Sequence, residues 1–462
     1  MGGHMGELSA VVLAAGQGTR MKSKLPKVLH KVCGVPMVNQ VIRIIKNAGC
    51  TRCIAVTGFK EELVRKSLGD SVSFVHQTEQ LGTGHAVMQA MPLLESDEDG
   101  YVLVICGDTP LLRAETIRHL IDVCIHNRAS ATVLTARLDN PFGYGRVIRD
   151  KDGHMQRIVE QKDGTESELA VNEINTGTYC FHVADLVDAL HKIDNHNAQQ
   201  EYYLTDVFGI MIRENKQVIP VVAEDADETM GVNSRRQLAT ANKVLYLRKA
   251  EELMDQGITI VSPENTYIGQ DVMVGHDTTI LPGTILSGNT RVGEDCVIGP
   301  DTQLDNVTCG NGNTLNRVYA HDCTIGNDNT MGPFVHLRPD TDIHNHVKIG
   351  NFVEVKNSVV DDGTKLPHLI YCGDADLGKK VNFGCGTVTV NFDGKNKHRT
   401  VVEDHAFIGC NTNLVAPVHV GKNAFTAAGS TITEDVPDNA LAIARQRQTN
   451  KINWVTKDTY KD

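Results

Sequence analysis

The chain has 462 residues, 41% hydrophobic and 22% charged, enough for two or three domains that each bury a full core. Asp plus Glu number 57 against 45 Lys plus Arg, a formal charge of -12. A generic binder of nucleic-acid backbone would be basic, so any anion site here must be a local basic cluster in an acidic protein. No apolar run reaches the ~20 residues that cross a bilayer. Residues 1–6 (M-G-G-H-M-G) read as a cloning remnant, and the apolar stretch 8–15, without a basic lead-in, reads as a buried strand and not a signal peptide.

Short apolar, mostly β-branched runs at 8–15, 53–57, 71–75, 101–106 and 131–135 are the expected strands of the first half. Between them, apolar residues recur at three- and four-residue steps: Met37, Val38, Val41, Ile42, Ile45 and Ala48, then Val87, Ala90, Met91 and Leu94, then Ile117, Leu120, Ile121 and Cys124. The alternation predicts a Rossmann-like α/β domain, a mostly parallel sheet with helices on both faces.

The first strand runs into L-A-A-G-Q-G-T-R-M, followed by Lys22, Lys24 and Lys27. A Gly-rich turn at the carboxyl end of a parallel strand lets backbone N–H groups approach phosphates. It is not a Walker loop, lacking Gly-Lys-Ser/Thr, and Met21 stands where a dinucleotide fingerprint has its third Gly. The cations suit a triphosphate; the plain alternative is a strand–turn–helix with solvated charges. Gln77 before L-G-T-G, and Asp108 in C-G-D-T-P, fall at strand ends on the same sheet edge. Asp there is either a hard-oxygen magnesium ligand or a turn residue. Three such features on one edge point to a nucleotide site.

Twelve cysteines are scattered along the chain, and only Cys50 and Cys53 form a C-x-x-C. No second pair completes a zinc site, and a chain this long needs no disulfide staples, so reduced thiols and a cytoplasmic location are expected. Residues 234–255, polar with embedded Leu238, Ala241, Leu245 and Leu253, predict a helix that Ser234 caps.

The second half changes period. Ile268, Val274, Ile280, Leu286, Val292, Ile298 and Leu304 lie six apart, as do Ile325, Met331, Leu337, Ile343, Ile349 and Val355. Ile408, Leu414 and Val420 repeat it, slip at Thr426, and resume at Ile432. Six matches neither strand alternation nor a helix. It fits a parallel β-helix with three hexads per turn, the aliphatic residue inward and Gly, Asn and Asp at the corners. Pattern breaks near 305–320, 361–370 and 391–403 are where loops are expected to leave the coil. Arg338 and Lys356 are cations able to bind a phosphate, and His368 and Tyr371 fall in a break. His336, His344 and His346 lie too close together in sequence for the separated zinc ligands of β-helical carbonic anhydrases. The tail, with the lone Trp454, suggests no function. The expected organisation is a Rossmann-like α/β domain at 1–233, a linker helix at 234–256, a β-helix at 257–446 and a tail at 447–462.

L-A-A-G-Q-G-T-R-M, L-P-K-V-L-H, Q-L-G-T-G-H-A and G-D-T-P-L resemble the nucleotidyltransferases that make nucleotide sugars. With P-F-G-Y-G-R, V-E-Q-K-D, E-I-N-T-G and G-V-N, the first half most resembles bacterial N-acetylglucosamine-1-phosphate uridylyltransferases. H-L-R-P, V-E-V-K, L-P-H-L-I-Y and N-F-D-G resemble the acetyltransferase half of the same bifunctional family, a left-handed β-helix that trimerises.

The resemblance implies a nucleotide on Leu13, Ala14, Ala15 and Gly16 with Gln77, Gly82 and Thr83, and a triphosphate neutralised by Arg20 and Lys27. It implies Mg²⁺ on Asp108 and Asn233, and a sugar touching Thr83, Gly143, Glu160, Asn175 and Asn233. In the second half it implies glucosamine-1-phosphate on Arg338, Lys356, Tyr371 and Asn382, His368 as general base, and acetyl-CoA on Cys385, Asn391, Phe392, Cys410, Ala428 and Arg445. Three positions depart from the family pattern: Phe392 stands for Tyr, Cys410 for Ser and Cys385 for Ala. Rival readings are a uridylyltransferase with a purely structural β-helix, another sugar-nucleotide pyrophosphorylase, and a non-enzymatic nucleotide-exchange subunit.

Overall fold

A computed structural model describes residues 7–455; the expected cloning remnant at 1–6 and the end of the tail, 456–462, lie outside the described residues. The chain divides into two compact units, Met1–Leu245 and Tyr246–Asp462.

Among the described residues, the first unit holds a nine-stranded sheet. Its strands are β1 (Leu8–Leu13), β2 (Arg52–Thr57), β3 (Ser73–His76), β4 (Tyr101–Cys106), β5 (Ala131–Arg137), the hairpin β6 (Arg146–Arg149) and β7 (Met155–Val159), β8 (Glu173–His182) and β9 (Val218–Val222). The main path runs β9-β5-β8-β4-β1-β2-β3. Strand alternation sends Ala10 and Val12 to one face and Val11 to the other. On the first face they meet Val38, Val41 and Ile45 of the helix Met37–Asn47, and Ile117 and Leu120 of Ala114–Asn127. On the other they meet Val87, Leu186 and Phe208.

Two features differ from the expected pattern. Strand β8 runs antiparallel between β4 and β5, with a bulge between Asn175 and Tyr179 around Gly177. That bulge interrupts the period-two pattern that would have marked β8 as a strand. The helix expected around Val87–Leu94 is two short helices, Thr83–Met88 and Met91–Leu94, because Pro92, in the first turn of the second, has no N–H to continue the first.

The polar stretch after residue 233 forms a helix, Arg235–Asp255. Ser234 Oγ accepts the Gln237 amide at 3.3 Å, while Gln237 Oε1 accepts the Asn233 amide at 2.9 Å, a reciprocal cap.

In the second unit the strands are two to nine residues long and pair in parallel. Thr279 pairs with Val297 and Ile268 with Leu286, each eighteen residues on, so one turn of the coil is three hexads. The hexad side chains form one continuous core, Thr426 included in the buried set. A second inward file, two residues earlier, is small and polar: Thr278, Thr284, Thr290, Thr302, Thr364, Thr387 and Thr412. Their hydroxyls satisfy backbone groups at the corners, as Thr278 Oγ1 does with Gly293 O at 2.8 Å. Asp277, Asp295, Asp328, Asn411 and Asn423 take left-handed corner positions.

The expected loops are corrected at two of three places. Near 305–320 and 361–370 nothing leaves the coil: Leu304 pairs with Ala320 and Ile349 with Leu366, so the turns are merely one or two residues short. The shortened turns shift the hexad register and so break the sequence pattern. At 391–399 a loop does leave, since Leu377 pairs with Val402, twenty-five residues on.

Candidate active sites

In the first unit, a cavity of about 310 Å³ opens at the carboxyl ends of β1 and β4. Leu13, Ala14, Ala15, Gly16, Lys27, Gln77, Gly82, Thr83 and Asp108 all line it, so the residues expected to hold a nucleotide share one space. The Gly-rich turn is tight for a reason: Gly18 has φ +64, and a Cβ there would fall 2.4 Å from Lys27 Cβ. Gln77 is buried and donates to Gly82 O at 3.2 Å, and Gln80 donates to Ala15 O at 2.8 Å.

At the lip, Lys27 Nζ forms an ion pair with Asp108 and donates to Asn233 Oδ1 at 2.9 Å. Arg20 donates to the same Asn233 oxygen at 2.9 Å. The Val232 amide donates to Asp108 O at 2.9 Å, which brings G-V-N beside C-G-D-T-P across a long stretch of chain.

Of the expected sugar contacts, Thr83 and Asn233 belong to the nucleotide cavity and its lip, while Gly143, Glu160 and Asn175 lie on the segments around the β6–β7 hairpin and β8. Asn175 N donates to Gly145 O at 2.9 Å, and a Cβ on Gly145 would lie 3.5 Å from the Glu160 carboxylate. Gly143 N donates to Gln161 Oε1 at 2.9 Å. The Asn175 carboxamide is held at both ends, donating to Tyr179 Oη at 2.8 Å and accepting Gly177 N–H at 3.1 Å. Glu160 accepts Thr205 Oγ1 at 3.2 Å and lines a second cavity of about 400 Å³. Burial pushes its carboxyl above the usual range; Thr205 opposes this, and Asp163 and Asp206 add to it. Sequence reasoning missed Gln80, Tyr179 and Tyr144, whose phenol burial and Asp108 push upward. Gln80 opens Q-L-G-T-G-H-A and Tyr144 lies inside P-F-G-Y-G-R, whereas Tyr179 stands two residues past E-I-N-T-G.

In the second unit, register organises the expected residues into columns. His368 pairs with Asn351 on one side. On the other, Gly386 N–H reaches His368 O at 3.4 Å, setting Cys385 beside His368. Asn411 N–H to Cys385 O (2.7 Å) and Gly429 N–H to Cys410 O (2.8 Å) extend the column through Cys410 and Ala428. His368 lies on a strand, Lys365–Gly373, and not in a loop; its side chain is exposed. Asn382 pairs with Lys365 on the next coil. Arg445 lies beside Gly429, 3.8 Å from where its Cβ would be.

Arg338 and Lys356 fall on adjacent coils, Arg338 N–H reaching Val355 O at 2.8 Å. Arg338 pairs with Glu354 at 2.9 Å. Lys356 lies 3.8 Å from the buried Asp374 carboxylate. Asn391, where the loop leaves, donates to that carboxylate and to Tyr371 Oη at 3.3 Å. Burial alone would raise the Asp374 carboxyl, but hydrogen bonds from Asn357 and Asn391 and the Lys356 ammonium hold it below its ordinary value. Lys397, in the same loop, was not anticipated; the Lys356 ammonium beside it pushes it below the usual lysine range. The run K-N-K-H-R was the available signal. Phe392 is exposed and bridges Lys397 through backbone. His336, His344 and His346 take different partners: Tyr319 at 5.0 Å between ring centroids, Asp361 at 2.9 Å and Asp328 at 3.9 Å.

Family models agree with this division. The MobA-like NTP transferase domain matches residues 10–200, the bacterial transferase hexapeptide (six repeats) matches 322–357, and the hexapeptide repeat of succinyl-transferase matches 399–434. The fold is therefore a Rossmann-like nucleotidyltransferase domain followed by a hexapeptide-repeat, left-handed β-helix. The chain is 54% identical over 448 residues to the Bifunctional protein GlmU of Geobacillus sp. (strain WCH70), covering 97% of each. It is 50% identical over 453 residues to that of Listeria welshimeri (98% and 99% covered) and 49% over 453 residues to that of Clostridioides difficile (98% of each). The chain belongs to this GlmU family and is a bifunctional uridylyltransferase and acetyltransferase.

Proposed function

We propose that the second unit acetylates glucosamine-1-phosphate from acetyl-CoA and the first couples the product to UTP, releasing pyrophosphate and yielding UDP-N-acetylglucosamine. The convergence of Arg20, Lys27, Asp108 and Asn233 at the lip of the Leu13–Gly16 cavity carries the reading for the first unit. With the base against the 13–16 turn and Gln77, the triphosphate reaches Lys27 and Arg20. Gly143, Glu160 and Asn175 orient the sugar so that its phosphate oxygen attacks the α-phosphorus in line. The reaction needs positioning and charge neutralisation, not a protein nucleophile. Asp108 and Asn233 already converge on one ammonium, so their oxygens fit a hard cation. They would hold Mg²⁺, which when bound supplies further neutralisation of phosphate charge.

In the second unit, Arg338, Lys356 and Lys397 receive the phosphate, which relieves the repulsion between the two lysines. Tyr371 and Asn382 hold the sugar. The exposed His368 ring takes the proton from the amine, which attacks a thioester only when neutral. The Cys385 N–H faces the tetrahedral oxygen, the C–S bond breaks, and coenzyme A leaves as a thiol. Asn391, Phe392, Cys410, Ala428 and Arg445 lie along its path.

A homotrimer built through the β-helix is the proposed assembly. Phe334, Phe352 and Leu369 support it: they stack in register with left-handed backbone, and they are 54%, 58% and 58% exposed. Bulky apolar side chains in that strained, wet position make sense when another copy covers them. Light scattering giving a monomer at micromolar concentration would count against it. A cytoplasmic location is proposed from the twelve cysteines, which form no disulfide; no described helix is long and apolar enough to cross a membrane.

The test is mass spectrometry of one mixture of glucosamine-1-phosphate, UTP and Mg²⁺, with and without acetyl-CoA. UDP-N-acetylglucosamine appearing only with acetyl-CoA supports both assignments. If it forms only from N-acetylglucosamine-1-phosphate, the second-unit assignment is wrong. Replacing His368 with Ala should abolish acetyl transfer and spare uridylyl transfer.

A further inference from the structure

The twelve cysteines form no disulfide, and their exposure is uneven. Nine are buried, Cys106 and Cys385 are half-buried, and Cys410 alone is exposed. Burial pushes the Cys106 and Cys372 thiols up to about 12, leaving them poor nucleophiles. In the second unit, then, the thiols that solvent reaches are Cys385 and Cys410. They are direct neighbours: the Asn411 N–H to Cys385 O bond sets residue 385 opposite 410 on the next coil. Parallel strands lie ~4.8 Å apart, within the ~4.4–6.8 Å between Cα atoms that a disulfide spans. Both belong to the column that continues from His368 to Ala428.

We propose that Cys410, with Cys385 beside it, is a thiol–disulfide exchange site that accepts small-molecule disulfides, coenzyme A disulfide foremost, and so blocks acetyl transfer reversibly. The choice of disulfide rests on the proposed function, which lays the coenzyme A thioester along this column. The Cys410 thiolate attacks one sulfur of the disulfide, forming a mixed disulfide and releasing one coenzyme A thiolate, which takes up the proton. Cys385 then attacks the Cys410 sulfur, closing a 385–410 disulfide and releasing the second coenzyme A. Two protein thiols are oxidised while one small disulfide is reduced to two thiols. Either product places sulfur and added bulk, or a cross-link, where the acetyl group must sit.

The experiment treats the full-length enzyme with coenzyme A disulfide, maps its cysteines by peptide mass spectrometry, and measures both activities on the same sample. The expected result is a coenzyme A adduct on Cys410, or a 385–410 disulfide, with acetyl transfer down about tenfold or more, pyrophosphate release unchanged, and recovery in dithiothreitol. Prior saturation with acetyl-CoA should slow the modification by about tenfold. The Cys410→Ser variant, compared with its own untreated rate, should become insensitive. Modification at other cysteines, no modification, or a rate indifferent to acetyl-CoA overturns the proposal. Untreated enzyme that transfers no acetyl group would instead refute the functional reading, and the mass map would still decide whether Cys410 is the exchanging thiol.

Discussion

Tyr179 shows how a buried residue can serve a site it does not line. Its phenol accepts the Asn175 carboxamide while its ring packs against Phe181 and Phe208, at centroid distances of 5.8 and 5.1 Å. Replacing it with Phe keeps the packing and frees one end of Asn175. Steady-state kinetics should show the KM for sugar phosphate rising about fivefold, the worth of one hydrogen bond, with kcat and melting temperature little changed. Glu160 gives a pH signature. Its carboxyl is raised by burial and by Asp163 and Asp206, so the folded state disfavours its charge. The resulting penalty is absent below the unfolded carboxyl value of about 4.3 and complete above the folded value. Glu160→Gln should therefore melt higher than the parent at neutral pH, the gain fading as pH falls through that window, while sugar-phosphate binding weakens.

At the scale of elements, the 391–399 loop matters most. Its exit is tied to the coil by Asn391, Asp374 and Tyr371, so one carboxylate joins loop, sugar side and phosphate-binding lysine. Replacing Asp374 with Ala leaves two carboxamides short of a partner. It should cost about 1–3 kcal/mol in denaturant unfolding and admit protease within the loop. Because the Asp374 carboxyl is held below its ordinary value, its charge stabilises the fold above the unfolded value of about 3.9. The melting difference between parent and Asp374→Asn should shrink as pH falls through the folded value. The other two pattern breaks had the same look in sequence as this one, yet they only shorten a turn. A deletion and an insertion both disrupt a hexad register, and only coil pairing tells them apart.

At the scale of the molecule, the two units keep separate cores. In a solenoid each coil touches only its neighbours, so one cavity loosens a stack locally. Ile298→Ala, in the fully buried file, should cost about 2–5 kcal/mol. Calorimetry should show one transition lowered, and acetyl transfer lost on heating before uridylyl transfer. Period was the most legible signal: six-residue repeats in one half and alternating strand and helix patterns in the other determine the fold classes, because burial repeats with backbone geometry. The nucleotide turn was likewise legible as a motif, whereas His368 stood in a break of the hexad pattern and only coil pairing puts it on a strand. What tertiary structure alone decided is proximity between residues far apart in the chain. Asp108 meets Val232 and shares Lys27 with Asn233, Asn391 reaches back to Tyr371 and Asp374, and Cys385 stands against Cys410. Local propensity carries no information about such pairs, since they are set by sheet order and by which coil lies on which.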